Sequence, residues 1–377
     1  MIKVLQVIHG LNMGGAETLV KDYVIGINKT KFDVTVLCYE RYNSPYEKLL
    51  EQLGIKIIYI SDNYPNNYQK KITKRIYALI QRCFLIRRYI RKIRPDILHT
   101  HMQVNSYIKF SRPQRSVKIF HTVHNEPHKL WFNGNIRDRM DFRAAKWLVK
   151  KYNMRFITLH TSMCKEVNDL FDVNDSIVLN NGIDLGKFEN TTKKEEIRTK
   201  IKIPVDAFVV GHIGRFSKQK NHEFLIQIFK IICDRMPNAF LLMIGMGDQK
   251  KNIESQLNHW KLEGKYIILS NRTDIPDLLK AMDVFVFPSL YEGAPVTLIE
   301  AQKIGIPCFI SENISRAIKV SNLVNFLPIA LGEKKWADVI CDYKCPEIKY
   351  DGIQEWDIQK VIKKLEKIYE EAILHFQ

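Results

Sequence analysis

Ile2-Lys3-Val4-Leu5-Gln6-Val7-Ile8-His9-Gly10-Leu11-Asn12-Met13-Gly14-Gly15-Ala16-Glu17 opens the chain with an apolar, β-branched run that breaks into a glycine-rich turn. A run of that length bounded by glycine reads as a buried strand, and the segment beyond it as a helix. The alternation then recurs. Ile2 to His9, Phe32 to Tyr39, Ile55 to Ile60, Asp96 to His99, Val117 to Thr122 and Phe156 to Leu159 read as strands with amphipathic segments between them. A second series follows Asn180-Asn181-Gly182-Ile183-Asp184 and a lysine-rich stretch around 190–202: Phe208 to Ile213, Phe240 to Ile244, Tyr266 to Leu269, Val284 to Phe287 and Cys308 to Ile310. Repeated βαβ units predict parallel sheets with helices on both faces. The expectation is an α/β chain of two doubly wound parallel-sheet domains, 1–182 and 183–355. Ile358, Val361, Ile362, Leu365, Ile368, Tyr369 and Ala372 have helical spacing, so 356–377 should close the chain as a helix returning to the first domain.

At 377 residues, with 46% apolar and 26% charged, the chain has the balance of a folded globular protein with room for two cores. Its 58 Lys and Arg against 41 Asp and Glu leave a net charge of +17, which favours a polyanionic neighbour: nucleic acid, anionic lipid or a phosphorylated substrate. No aromatic-rich single-strand platform or groove-reading module is recognisable, which argues against nucleic acid. Seven scattered cysteines without a C-x-x-C pair point to reduced thiols in a cytosolic protein, and Cys341 with Cys345 lacks the second pair that a zinc site needs. The first apolar run is short and has no small-residue cleavage site, so it reads as a strand rather than a signal peptide. No stretch reaches the roughly 20 apolar residues that span a bilayer, so any membrane contact should be peripheral.

Four motifs carry chemistry. In the first turn, Gly14 and Gly15 bring backbone amides to a helix N-terminus where an anion can approach; a tight strand-to-helix connection would read the same way. The spacing is not G-x-G-x-x-G and no acidic residue closes the second strand, which disfavours NAD. His99-Thr100-His101 and His121-Thr122-Val123-His124 sit at strand ends, the edge that faces the ligand crevice of an open α/β sheet, so these imidazoles should point into a site. In the second half, Gly214-Arg215 followed by Lys220 before a helix makes a diphosphate clamp, Arg as a fork and Lys as a point charge; a solvated basic turn is the other reading. Finally, in Pro288-Ser289-Leu290-Tyr291-Glu292-Gly293-Ala294-Pro295-Val296-Thr297-Leu298-Ile299-Glu300-Ala301, Pro295 suits the first helical position, Glu292 the loop at the mouth, and Glu300 a point about 7 to 8 Å along the helix. Acceptors so separated can hold the hydroxyls of a sugar and a ribose.

At these residues the sequence resembles retaining glycosyltransferases of the GT-B architecture, in the large bacterial family four that builds exopolysaccharide, capsule and lipopolysaccharide. The resemblance runs through Gly14-Gly15-Ala16-Glu17, Asp96 to His101, Asn181-Gly182-Ile183-Asp184, Gly214-Arg215 with Lys220-Asn221, Gly245 with Gly247, and Glu292 and Glu300 with seven residues between them. Gly305 to Ile314 is similar to the exopolysaccharide and capsule subgroup, while Gln302-Lys303-Ile304 departs from the small residues usual there. The resemblance implies two Rossmann-like domains facing across a cleft. The second would bind mainly a nucleotide-sugar donor, a UDP-sugar or else GDP-mannose, and the first a lipid-linked saccharide acceptor. It implies Arg215 and Lys220 on the diphosphate beside Gly214, Glu300 on the ribose, and Arg272 in the base loop. Glu292 with Gly293, Ala294 and Pro295 would hold the donor sugar, with His124 near the reacting carbon. Gly14 and Gly15 would close on the phosphate, and His99, His101 and His121 would lie on the acceptor side. Such enzymes retain the anomeric configuration by a front-face reaction that needs no metal, cofactor or dedicated base. The chain indeed has no Asp-x-Asp. UDP-sugar 2-epimerases share the architecture and use a donor without an acceptor, and so remain an alternative.

Tyr68 to Arg94 carries ten basic residues and no acidic one, with Ile72, Ile76, Leu79, Ile80, Cys83, Ile86, Ile90 and Ile93 at helical spacing. One face should pack on the domain and the other turn Arg87, Arg88, Arg91 and Lys92 outward. Given a lipid-linked acceptor, the expectation is peripheral docking on the anionic cytoplasmic face of the cell membrane, with Trp131 and Phe132 as an apolar toehold; a solvated basic helix is the other reading.

Overall fold

Strands of a parallel sheet are covered by helices on both faces, and so read as nearly continuous apolar runs. The computed structural model, which describes residues 1–63, 72–189 and 192–374, turns those runs into two parallel sheets. Tyr68, Lys70 and Lys71 of the basic segment lie outside the described residues, as do the side chains at 72–79. The chain divides into two compact units, 1–182 with 359–377, and 183–358.

In the first unit the strands are β1 (Ile2–Ile8), β2 (Phe32–Cys38), β3 (Lys56–Tyr59), β4 (Ile97–His101), β5 (Lys118–Thr122), β6 (Arg155–Thr158) and β7 (Ile177–Val178), in the order β3-β2-β1-β4-β5-β6-β7. β1 pairs along its length with β2, Ile2 opposite Phe32 through Ile8 opposite Cys38, and with β4 on its other side from Val4–Ile97 to Val7–Thr100. The second unit holds β8 (Phe208–Ile213), β9 (Ala239–Ile244), β10 (Tyr266–Leu269), β11 (Val284–Phe287), β12 (Cys308–Ser311) and β13 (Val324–Leu327), ordered β10-β9-β8-β11-β12-β13. Both are Rossmann-like. In each, strand order reverses beside the first strand, between β1 and β4 and between β8 and β11, and ligands bind outside the carboxyl ends of strands at such a switch point.

Three details depart from the sequence reading. β7 and β13 are strands that the pattern does not announce: β7 is two residues long, and β13 is an outer strand whose Asn325 breaks the apolar run. β4 extends to His101, so both of its histidines are strand residues. Pro295 is the cap of the helix Val296–Ile304 rather than its first residue.

The lysine-rich stretch after residue 190 becomes the helix Lys194–Lys200 of the second unit, anchored by the buried Arg198. Its guanidinium donates to the carbonyls of Ala281 (3.0 Å), Val205 (2.7 Å) and Ala207 (3.0 Å) and to Asp283 (2.6 Å). The closing helix Ile358–Leu374 buries Val361, Leu365 and Tyr369 on the first unit, where Glu366 also accepts from the Asn28 amide at 2.6 Å.

The basic helix spans Ile72–Ile93, with Ile86 and Ile90 buried and Arg88, Arg91 and Lys92 exposed, whereas Arg87, beside Ile86 on the edge of the packed face, is half-buried rather than turned outward. Ile80 and Phe84, one turn apart, are 60% and 66% exposed. Trp131 is no toehold. It ends the short helix Pro127–Trp131 fully buried, its indole donating to Asp141 (3.4 Å), so only Phe132 of that pair is exposed. Among the described residues no helix is long and apolar enough to cross a membrane.

Candidate functional site

Reactive side chains gather at the switch point of each unit. In the second, β8 runs into Gly214 and the exposed Arg215, and a 3-10 turn over Lys218–Lys220 precedes the helix His222–Arg235. A Cβ at Gly214 would lie 3.0 Å from Lys220 Cε and 3.2 Å from His212 Nε2, so glycine leaves the lysine its path over the turn. The neighbouring loop after β9 approaches as closely: a Cβ at Gly245 would stand 3.0 Å from the Gly214 carbonyl carbon, and one at Gly247 2.7 Å from that of Phe216. Phe216 N donates to Met246 O at 2.7 Å, holding the two loops backbone to backbone.

Across the switch point, the loop after β11 carries Glu292. Lys220 Nζ donates to Glu292 Oε1 at 2.7 Å, with the two side chains only 13% and 10% exposed, and the ammonium lies 4.4 Å from the centroid of the Phe287 ring. Gln219 fastens the loops together, its side-chain amide donating to Tyr291 O (2.8 Å) and its backbone carbonyl accepting from Leu290 N (2.8 Å). A buried ion pair is costly to form and keeps its charges only when both partners stay. It thus holds a cation and a carboxylate ready at one point.

Around this pair are groups that the sequence reading passed over. His212 Nδ1 donates to the Val286 carbonyl (2.9 Å), which leaves the lone pair on Nε2, a buried atom without a hydrogen-bond partner among the described residues. Ser289 Oγ is likewise buried without a partner among the described residues, and His222 packs its ring edge-on against His212 at 4.9 Å. Burial, then the Lys220 charge, pushes His222 down to about 4. Ser289 stands within the Pro288 to Ala301 motif but is given no role there, and only their place around the end of β8 draws attention to His212 and His222.

The remaining second-unit candidates are dispersed. Gly293 and Ala294 are buried in the loop, and Glu300 is the half-buried fifth residue of the helix Val296–Ile304. Arg272, after β10, turns its guanidinium onto Asp274, Nε to Oδ1 at 2.7 Å; the hydrogen bond raises the Arg272 pKa and lowers that of the carboxyl. Gln302, the departure from small residues, is fully buried. Its amide donates to Leu298 O and Ile318 O (both 2.9 Å), and its carbonyl accepts from Val320 N (2.9 Å) and Ser321 Oγ (3.0 Å).

In the first unit, Gly14 caps the helix Gly15–Gly26, and a Cβ at Gly15 would meet nothing within 4 Å, so the backbone there is approachable. The four histidines stand together, His99 and His101 on β4, His121 on β5 and His124 in the loop just after it. His101 Nδ1 is 3.0 Å from His124 Nε2, His101 Nε2 is 2.8 Å from Gln6 Oε1, and His99 lies between Tyr369 and Thr122. His121 is bonded to Thr100 (2.8 Å) and Asn105 (3.4 Å), and Asn105 continues to Asp141 (2.9 Å). His99, His101 and His121 are fully buried with both ring nitrogens partnered; His124 is half-buried. Burial lowers all four, His121 to about 3 and His124 to about 4. Near neutral pH they are uncharged donors and acceptors, not cations.

Comparison with known proteins follows the same division. Residues 13–187 match the model of Glycosyltransferase Family 4, and residues 193–320 that of Glycosyl transferases group 1. EpsF of Bacillus subtilis (strain 168), named as a glycosyltransferase, is 28% identical over 353 residues, covering 90% of this chain and 86% of its own. The UDP-Gal:alpha-D-GlcNAc-diphosphoundecaprenol alpha-1,3-galactosyltransferase of Escherichia coli is 29% identical over 297 residues, 74% of this chain and 72% of its own. Among solved structures, Alr3699/HepE of Anabaena, in complex with UDP and glucose, superposes with a TM-score of 0.71 at 17% identity, covering 100% of this chain and 98% of that one. The two family matches, the curated relatives and the shared architecture together support a glycosyltransferase of the family-4-like GT-B kind.

Proposed function

We propose that the chain is a retaining, metal-independent glycosyltransferase that moves a sugar from a UDP-sugar to a lipid-linked saccharide at the cytoplasmic face of the membrane, in surface-polysaccharide biosynthesis. The Lys220–Glu292 pair beside the exposed Arg215 carries this reading. A nucleotide sugar needs countercharge at its diphosphate and acceptors for its hydroxyls, and one switch point offers both. In the proposed reaction the acceptor hydroxyl attacks the anomeric carbon on the face from which UDP departs. The departing phosphate oxygen takes the hydroxyl proton, and Arg215 and Lys220 stabilise the charge growing there. Glu300 holds the ribose, Arg272 belongs to the base loop, and Glu292 with Gly293 to Pro295 orients the sugar. His124 meets the sugar, and the Gly14–Gly15 turn the phosphate. The named substrates of the Escherichia coli relative, UDP-Gal and a diphosphoundecaprenol-linked sugar, support UDP and a lipid-linked acceptor.

The basic helix supports the membrane location. Ile80, Phe84 and Arg88 follow at four-residue steps, so two exposed apolar side chains share a line with exposed cations. Each such cation near an anionic leaflet contributes about 1 kcal/mol. Flotation with anionic vesicles should require the anionic lipid, fall with salt, and weaken when Arg88, Arg91 and Lys92 become Glu. Equal binding to neutral vesicles would refute docking by charge.

Thermal shift against a panel of nucleotide sugars tests the donor, since a true ligand stabilises by mass action. UDP-sugars should raise the melting temperature; a response confined to GDP-mannose would overturn the assignment of the base. Radiolabelled sugar should appear in a lipid-linked product, whereas an isomerised donor without transfer would mark an epimerase.

A further inference from the structure

His124 is the outer end of a buried chain of hydrogen bonds whose direction can be worked out. Gln6 Nε2 donates to the Tyr369 hydroxyl at 3.0 Å, so the Gln6 carbonyl faces His101 Nε2 at 2.8 Å. A carbonyl only accepts, so His101 carries its proton on Nε2. A neutral ring protonated there has a lone pair on Nδ1. That nitrogen is 3.0 Å from His124 Nε2, which must therefore be the donor. At the other end, Tyr369 already accepts from Gln6 and gives its own proton to His99 Nδ1, and His99 Nε2–H then donates to Thr122 Oγ1 at 2.7 Å. The bonds run head to tail from His124 through His101, Gln6, Tyr369 and His99 to Thr122. Apart from His124, every member is fully buried.

We infer that Gln6 and Tyr369 are positioning residues that hold His124 in its Nε2–H tautomer, so that the group it offers a ligand is the Nδ1 lone pair, an acceptor for a hydroxyl. Turning the Gln6 amide over would reverse every bond in the chain, and His124 would then offer an N–H donor. The amide of Gln6 is thus the point at which the polarity is decided, and Tyr369, brought to it by the closing helix, is its only partner besides His101 among the hydrogen bonds described for that side chain. Burial keeps these rings neutral, which leaves the tautomer as the variable. That the hydroxyl belongs to a sugar rests on the proposed function; the tautomer does not.

The test is nitrogen NMR of the full chain labelled with ¹⁵N-histidine, without ligand at pH 7.5, with His124→Asn identifying the His124 signals. Wild type should show His124 protonated at Nε2 alone. Gln6→Met and Tyr369→Phe should each produce a mixture with the Nδ1–H form. Tyr23→Phe should not, because the Tyr23 ring stacks on His99 while its buried hydroxyl has no hydrogen-bond partner among the described residues. An Nδ1–H His124 in wild type, or a pure Nε2–H form in both chain variants, would overturn the relay, and the wild-type measurement does not depend on the folding of Gln6→Met or Tyr369→Phe. In turnover, the two chain variants should lose about 3- to 10-fold in kcat with UDP affinity unchanged, on the scale of one neutral hydrogen bond. A shifted tautomer with full turnover would instead remove His124 from the sugar and so refute that part of the proposed function.

Discussion

Glu292→Gln should pull binding and turnover in opposite directions. In the structure Lys220 is held by Glu292 at 2.7 Å, so a diphosphate that needs the ammonium must draw it from a carboxylate that also repels the incoming charge. Gross attraction at that distance is about 6 kcal/mol for an effective dielectric of about 20. Most of this is offset by desolvation of the two ions, and a net of about 1 kcal/mol is the expectation for a pair that keeps some contact with water. Glutamine keeps the shape and a carbonyl acceptor while removing the charge. UDP should then bind roughly 3- to 10-fold more tightly, about 1.4 kcal/mol being a factor of ten. Turnover should fall by about 10²- to 10³-fold, the range for losing one preorganised polar contact to a reacting group. Glu300→Gln, by contrast, should weaken UDP through a lost ribose hydrogen bond. Titration calorimetry with UDP, alongside initial rates with a UDP-sugar, reads both quantities. Equal losses of UDP affinity in the two variants would refute the division of labour between the glutamates.

If Arg215 and Lys220 supply the countercharge, as proposed, activity should survive exhaustive chelation; an enzyme silenced by EDTA and rescued by magnesium or manganese would refute this. Gln302→Leu should destabilise the chain by about 2–5 kcal/mol, since it leaves at least the Ile318 carbonyl and the Val320 amide buried without partners. Chemical unfolding would read that, and a change below about 1 kcal/mol would show that the segment re-forms its bonds elsewhere. The buried histidines should make stability depend on pH. Their folded pKa values are depressed below the ordinary 6.5, so their contribution is full above that value and is lost as pH falls toward the folded values near 3 and 4 for His121 and His124. Asp141, which burial pushes up to about 6, acts oppositely, contributing most below pH about 4 and losing that as pH rises through 6. Unfolding free energies at pH 7.5 and 5 should therefore show a loss on acidification that is steeper in Asp141→Asn than in wild type; a flat profile would mean that the imidazoles are solvated.

How much of this was readable beforehand follows from which interactions are local. Apolar runs become strands because burial on both faces of a parallel sheet demands them, so most of β1 to β12 could be placed from pattern alone, and the motifs at their ends with them. What the pattern cannot convey is strand order. Gly214 and Glu292 face one another only because β11, not β9, follows β8 across the switch point, and the Lys220–Glu292 contact spans 72 positions in the chain. The same blindness explains Trp131: beside Phe132 it looked like a pair of exposed aromatics, but its place was decided by Asp141 ten residues on, at the end of a hydrogen-bond line from His121. Tyr369 is the sharpest case. Helical spacing marks it as a core residue, which it is, yet that stripe is otherwise Val, Ile, Leu and Ala, and a single hydroxyl in it has to find partners once buried. Those partners are Gln6 and His99, more than 250 residues earlier. A phenol in an apolar stripe is therefore a sign of a distant polar group that needs an answer, and here it leads to the one histidine of the cluster that still meets solvent.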